Sequence, residues 1–412
     1  MKTMYSFIVL LTAFGTLQGC QKKEAFPEDA GVDKSKYEYV ADWQEGYLDI
    51  HQISTGRGNV AWLILPDGTT MLVDMGDLGA DIYSQEIMKP KPSSSKSPAE
   101  WVAQYIRHFS APLGNDGKLD YVFLTHFHGD HIGAFDRLAV SDPDKNYKLQ
   151  GITHLAELLE IDKLVDRAYP NYDIPSASAV SASNSGFSNY REFIRARDAA
   201  GKRNEMFNVG SNSQFVLQHK ASSYPDFSIR NVAGNLNVWT GSGTSVSQYP
   251  MSTTDENEYS CAIRLSYGKF DWYTGGDVKN EGLEAKIAEV AGQTDAVVCN
   301  HHAYSDAMHT LFIQKMAPTA FVIPVWDYYH PQPDPLNLMF STNLYAGDRM
   351  VFAAGLVESN RIRLGANGAK IKPDGHILIR VYPGGDTWQV FVLNDSDEDY
   401  EIIYKTDILN SK

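Results

Sequence analysis

Apolar and polar residues alternate along two stretches of this chain, and each stretch ends in histidine or aspartate. The first contains Tyr47-Leu-Asp-Ile-His-Gln-Ile53, Asn59-Val-Ala-Trp-Leu-Ile-Leu65 and Thr70-Met-Leu-Val-Asp-Met75. These predict strands, with Pro66-Asp67-Gly68 as a hairpin turn between the last two. Residues 98–109 carry a helical spacing that puts Trp101, Val102, Tyr105 and Ile106 on one face. After Asn115-Asp116-Gly117, the run Leu119-Asp-Tyr-Val-Phe-Leu124 reads as a buried strand leading into Thr125-His126-Phe127-His128-Gly129-Asp130-His131.

The second stretch repeats the plan. Residues 260–266 and 270–274 predict a hairpin around Tyr267-Gly268-Lys269 that ends at Gly275-Gly276-Asp277. A helix over 281–290 follows, then the strand Ala296-Val-Val-Cys299 running into Asn300-His301-His302, and another strand over 319–325. The repetition predicts an α/β fold of two sheet-and-helix halves, a four-layer αββα sandwich. Residues 375–381 and 387–393 form a closing hairpin around Pro383-Gly384-Gly385. Residues 134–251 are too many for a structureless loop. They are read as a decorated insertion that walls the site, with helices at 155–167 and 190–199 and short strands at 215–220 and 236–240.

The N-terminus carries Lys2, a short apolar core over 7–14, and Leu17-Gln18-Gly19-Cys20. That order looks like a bacterial lipobox, with residues 1–19 as signal peptide and a lipid on Cys20. An ordinary secretory signal with an incidental cysteine is the alternative. Residues 20–40 would be a leash and 41–412 the folded domain, so the expected location is the cell envelope, at the periplasmic face or the outer-membrane surface. Cys261 and Cys299 both fall in apolar strand-like runs and are expected as two buried free thiols, with a bridge between them as the alternative in an oxidising compartment. The net charge of −15 argues against an extended nucleic-acid surface, which needs clustered Lys and Arg. Arg191, Arg195, Arg197, Lys202 and Arg203 read as a solvated helix face, and His154, His219 and His376 as structural.

Three imidazoles and a carboxylate fall within residues 126–131. Alternate residues on extended backbone point the same way, so His126 and His128 can reach one ion. Asp130 and His131, at the turn into a helix, can reach a second. Nitrogen and carboxylate ligands without thiolate suit Zn or Mn.

This run resembles the signature of the metallo-β-lactamase superfamily. The resemblance extends to the hydrolase domain of the ComEC competence proteins. It is carried by Ile53-Ser-Thr-Gly-Arg-Gly-Asn59, Leu72-Val-Asp-Met-Gly76, Asn257-Glu-Tyr-Ser260, Gly276-Asp277, Asn300-His-His-Ala-Tyr-Ser305 and Tyr329-His330-Pro331. It implies a site of two divalent ions, Zn or Mn, with Asp277 bridging them and Asp74 orienting a ligand from behind. One of His301 and His302 would complete the second ion's shell; His301 is favoured, with its neighbour orienting it or touching substrate. Asn257 or a neighbour stands where most relatives place a third histidine for the first ion. That departure leaves the centre either weakly dinuclear or holding one ion until substrate binds.

The implied reaction is hydrolysis of a phosphoester or phosphodiester by an activated water. Asp130 or Asp277 would orient that water, and His330 would contact phosphate or protonate the leaving group. Trp326, Tyr328 and Tyr329 lie near the expected site, and packing is their default role. The expected substrate is small or exposed. Two other readings stay open: a lactone, thioester or lactam hydrolase on the same scaffold, and a non-catalytic accessory lipoprotein for DNA or glycan uptake. ComEC proteins span the membrane as channels, and transport is not carried over.

Overall fold

Alternation along the strands sends successive side chains into different cores. Ala61 and Leu63 enter one apolar layer, whereas Trp62 and Ile64 enter another. Trp272 and Tyr273 separate in the same way on the second half. Slipping one of these strands by one residue would exchange its two faces, so burial on both sides fixes register.

The structure, a computed structural model, describes residues 37–79, 88–136, 139–174 and 186–412. Glu38–Lys412 forms one compact unit. The expected signal segment 1–19, Cys20 and most of the 20–40 leash lie outside the described residues.

Two mixed sheets make the inner layers. One runs, in spatial order, through Ile402–Lys405, Thr387–Leu393, His376–Val381, Leu48–Gln52, Ala61–Ile64, Thr70–Val73, Leu119–Phe123, Ile161–Asp166 and Arg203–Met206, with Leu409–Asn410 also pairing to Thr387–Leu393. The other runs through Val246–Gln248, Asn237–Trp239, Phe227–Gly234, Ala262–Tyr267, Phe270–Thr274, Ala296–Val298, Ala320–Pro324 and Met350–Ala354. A core of residues from both sheets, including Val73, Phe123, Leu265 and Trp272, lies between them. The helices Pro98–Phe109, Ile152–Leu158 and Phe187–Ala199 cover the outer face of the first sheet. Glu281–Ala291, Thr310–Met316 and Pro333–Phe340 cover the second. The fold is the αββα sandwich that the strand pattern implies.

Helix Pro98–Phe109 begins where a capping box sets it: Ser97 accepts from the Glu100 backbone, and the Glu100 side chain accepts from Ser97 N. Trp101, Val102, Tyr105 and Ile106 are all buried.

Residues 134–251 differ most from expectation. They are built into both sheets: Ile161–Asp166 and Arg203–Met206 join the first, and Phe227–Gly234, Asn237–Trp239 and Val246–Gln248 join the second. The helix expected over 155–167 stops at Leu158, and Ile161–Asp166 is a parallel strand beside Leu119–Phe123. Its apolar positions belong to a buried strand, which a short apolar run does not distinguish from helix. Residues 215–220 form no strand. Side chains hold them instead, with Gln218 N donating to Thr69 Oγ1 and His219 N donating to Asp67 Oδ2.

Cys261 and Cys299 are buried free thiols, and burial pushes both well above the usual thiol range. His376 and His154 make structural contacts, with Ser54 N and Ser97 Oγ respectively; His219 sits on the surface, 4.0 Å from Asp120. Among the described residues no helix is long and apolar enough to cross a membrane.

Candidate metal centre

In each sheet the parallel strands deliver their carboxyl ends to one edge. Asp74 follows Thr70–Val73, the run from Thr125 follows Leu119–Phe123, and Arg167 follows Ile161–Asp166. Across from them, Asp277 follows Phe270–Thr274, His302 follows Ala296–Val298, and Trp326 and His330 follow Ala320–Pro324. Polar groups gather there because open parallel sheets leave a crevice beyond their carboxyl ends.

The local backbone explains how the first set is aimed. His128 is extended, and the single helical turn Gly129–Ile132 starts at the next residue. His126 and His128 therefore share one direction, and Asp130 and His131 swing to another. On the second half, Gly276 adopts φ +55, and a Cβ there would lie 2.8 Å from Thr125 Cβ and Oγ1. Only glycine lets Asp277 approach the histidine run this closely. His301, His302 and Ala303 all have positive φ. Three consecutive residues in this sparsely populated region cost local stability and persist only where the surrounding structure holds them.

Two groups of ligand atoms result. Asp130, His131, Asp277 and His302 form one; His126, His128 and Asp277 form the other. Asp277 divides its oxygens between them. Oδ1 lies 3.1 Å from His131 Nε2 and 3.5 Å from His302 Nε2, and Oδ2 lies 3.6 Å from His126 Nε2. His302 Nε2 is also 3.1 Å from Asp130 Oδ2, and His126 Nε2 is 3.2 Å from His128 Nδ1. Tetrahedral ligands about 2.1 Å from an ion sit roughly 3.4 Å apart, so these spacings fit divalent ions.

The imidazoles are held from behind. His131 Nδ1 donates to Asp74 Oδ2 at 2.7 Å, His302 Nδ1 lies 3.1 Å from Pro324 O, and His126 Nδ1 lies 3.2 Å from Thr125 Oγ1. Each of these three rings keeps Nε2 facing the cluster, the arrangement that fixes tautomer and orientation in a metal site. Asp74 also accepts from Thr125 N, Thr125 Oγ1 and Asn59 Nδ2. It ties three segments together from a wholly buried position.

Electrostatics follow from burial and proximity. Burial acts to raise Asp277, but His131, His302 and His126 hold its carboxyl well below the usual range. Asp130 is depressed in the same way, with burial opposed by His131 and His302. Burial acts to lower His302, and Asp277 and Asp130 override it, pushing it up to about 10. His131 is likewise raised by Asp277, Asp74 and Asp130 against burial. Two imidazoles that both favour the protonated form face each other with Nε2 atoms 3.3 Å apart. A cation between them removes that conflict, and the residues present fit divalent metal on this ground as well as on spacing.

The structure corrects the choice between the paired histidines. His302 reaches the second cluster, and His301 turns away. The His301 ring lies 3.2 Å from Asn257 Nδ2 through Nε2, and its Nδ1 contacts Asp306 Oδ1 at 2.7 Å. Asn257 is buried next to His301, with its Oδ1 lacking a hydrogen-bond partner. His330 stacks on His302, ring centroids 4.7 Å apart, outside both ligand groups. Burial and then His302 hold His330 well below the usual histidine range. Trp326 packs edge-on against His330 at 4.9 Å. Arg203 pairs with Asp162 and Arg195 pairs with Glu192, whereas Arg197 is buried and bonds Asn204, so it departs from the solvated helix face expected of it.

Two buried carboxylates absent from the sequence reading brace the ligand loops. Glu256 accepts from Phe127 N, between His126 and His128, and forms a two-pronged pair with Arg167 at 2.7 and 2.6 Å. Both partners are fully buried. Glu284 accepts from Asn300 Nδ2, Met308 N and His309 N, closing the loop that carries His302.

His302→Ala is expected to lower bound metal by about one ion per chain, and His301→Ala to leave it unchanged, as read by elemental analysis after equilibration with Mn or Zn. Loss in His301→Ala alone would reverse the assignment. Separately, Glu256→Gln is expected to destabilise the fold by about 3–5 kcal/mol in urea unfolding, because it strands the buried Arg167 charge. A loss below about 1 kcal/mol would show that the pair behaves like a surface salt bridge.

Comparison with solved structures gives distant likenesses. Zn(2+)-bound PqqB from Methylobacterium extorquens aligns at 15% identity over 61% of this chain and 71% of that one, with TM-score 0.30. The short form of human tRNase Z aligns at 9% identity over 61% and 77%, with TM-score 0.27. A protein of unknown function from Enterococcus faecalis V583 aligns at 12% identity over 80% and 75%, with TM-score 0.31. No curated protein matches the chain. Residues 54–168, which hold Asp74 and the whole run from His126 to His131, match the family model described as Metallo-beta-lactamase superfamily.

Proposed function

We propose that this protein is a metal-dependent hydrolase of the cell envelope that cleaves a phosphodiester or phosphoester. The observation that carries the reading is Asp277, whose two oxygens face two separate histidine groups and so offer one carboxylate to two ions. Paired divalent ions, Zn or Mn, would when bound acidify a water and steady the oxygens of an in-line displacement at phosphorus.

The chain's own residues do the rest. Asp277 and Asp130 supply the negative charge that holds the cations, and His126, His128, His131 and His302 supply neutral nitrogen. Asp130 and His128 are the ligand residues that keep some exposure, the others being nearly wholly covered. Substrate therefore approaches along the Asp130–His128 edge. Asp130 Oδ2 is the carboxylate oxygen on that edge and is placed to orient the attacking water. His330, buried and stacked on His302, covers one face of that ring.

The resemblance to the ComEC hydrolase domain supports phosphodiester chemistry, and the acidic composition supports a small or exposed substrate over duplex nucleic acid. A lipid on Cys20 would tether the domain to the membrane, in keeping with Leu17-Gln18-Gly19-Cys20.

The test is hydrolysis of bis(p-nitrophenyl) phosphate by residues 21–412 loaded with Mn or Zn. Metal-dependent turnover should fall by about two orders of magnitude or more in His128→Ala and Asp130→Ala. Stoichiometric metal with no turnover would contradict the phosphodiester reading and direct attention to lactone, thioester or lactam substrates.

A further inference from the structure

A cavity of about 780 Å³ opens between the outermost strands of the two sheets, close to the turn that carries Asn257. We propose that it is a binding subsite for an uncharged sugar-bearing group, the non-phosphate portion of the substrate. The placing of the phosphate rests on the hydrolase reading above; the cavity's own chemistry does not.

Position comes first. One wall begins at Met206, where Arg203–Met206 ends the first sheet, and another includes Val246 and Gln248 of Val246–Gln248, the edge strand of the second. A third wall, over residues 251–254 with Tyr259, flanks the turn Glu256–Tyr259. Asn235, also on the wall, accepts from Arg167 Nη1 at 3.1 Å. Arg167 pairs with Glu256, which accepts from Phe127 N in the histidine run. The cavity and the ligand loop therefore share one buried network.

Chemistry decides the occupant. The chain holds 51 acidic residues, 36 Lys and Arg, and 12 His, yet among the described residues none of them lines this cavity. A phosphate or a choline cation would find no charge partner. Amide and hydroxyl groups line it instead, and among the described residues the side chains of Asn208, Gln248 and Thr254 make no hydrogen bond to the protein. Amides both donate and accept, which suits hydroxyl and amide groups of a ligand. Met206 and Val246, 50% and 46% exposed, leave apolar surface in the same space for the carbon face of a ring. Pockets that combine apolar walls with a few convergent polar groups are ordinary small-molecule sites.

Val246→Trp should fill the cavity from an exposed edge position, and Gln248→Ala should remove one polar contact without filling it. In the metal-loaded chain, Val246→Trp is expected to lower kcat/KM for p-nitrophenyl thymidine 5′-phosphate about tenfold or more and to leave bis(p-nitrophenyl) phosphate within about twofold, with Gln248→Ala intermediate. Equal effects on both esters, or none on either, would overturn the proposal, as would p-nitrophenyl phosphorylcholine turned over as well as the thymidine ester. Ligand-observed NMR with thymidine and with methyl N-acetylglucosaminide gives the second readout. Binding of either, lost in Val246→Trp, supports the subsite and distinguishes nucleoside from glycan. Binding of neither overturns it. If no ester is hydrolysed, the hydrolase reading fails, and this binding measurement alone decides the subsite.

Discussion

Desolvated charge is the constraint on which this structure depends. Asp277 is buried with its two oxygens against His131, His302 and His126, and Asp130 and Asp74 stand nearby. A buried carboxylate costs several kcal/mol unless it is paired and hydrogen-bonded. Here the partners are imidazoles, and His131 and His302 direct their Nε2 atoms at each other as well as at the carboxylates. Protonating both rings satisfies the carboxylates and sets like charges side by side. Divalent cations satisfy the carboxylates and leave the rings neutral. The site is consistent as a metal centre and frustrated without one.

The scaffold exists to hold that arrangement. Parallel strands in both sheets end at the same edge, and three buried acids that are not themselves ligands brace several of those ends. Asp74 joins the end of Thr70–Val73 to Thr125 and His131. Glu256 joins Arg167 to the backbone of the histidine run, and Glu284 closes the loop of His302. Loops positioned by a rigid sandwich carry the chemistry, and buried carboxylates make those loops stiff. The strained backbone at His301, His302 and Ala303 is tolerated because Glu284 and Asn300 fix it from both sides.

Much of this was legible in the chain before its structure. Strand alternation at 61–64 and 270–274 sorts residues into the inner and outer layers as observed. The spacing from His126 to His131 announces one half of the metal centre, because extended backbone followed by a helical turn needs only local geometry. Less local features were not legible. In residues 161–166 the apolar positions Ile161, Leu164 and Val165 carry a helical spacing, and only pairing with Leu119–Phe123 makes the segment a strand. The choice between His301 and His302 depends on a left-handed backbone that no residue type there favours. Glu284 left a usable trace: it falls on the helix face shared by Ile287, Ala288 and Ala291, where a charged residue needs a buried partner. Arg167, directly after an apolar strand, left a similar one. The charge-free cavity required both sheet edges, which lie far apart in sequence.

The shared carboxylate can be tested by spin coupling. In protein loaded with two equivalents of Mn(II), electron paramagnetic resonance should show an exchange-coupled pair. Asp277→Asn should convert it to the six-line signal of isolated ions. Uncoupled ions in the unmodified protein at full loading, or coupling that survives Asp277→Asn unchanged, would contradict a centre built on Asp277.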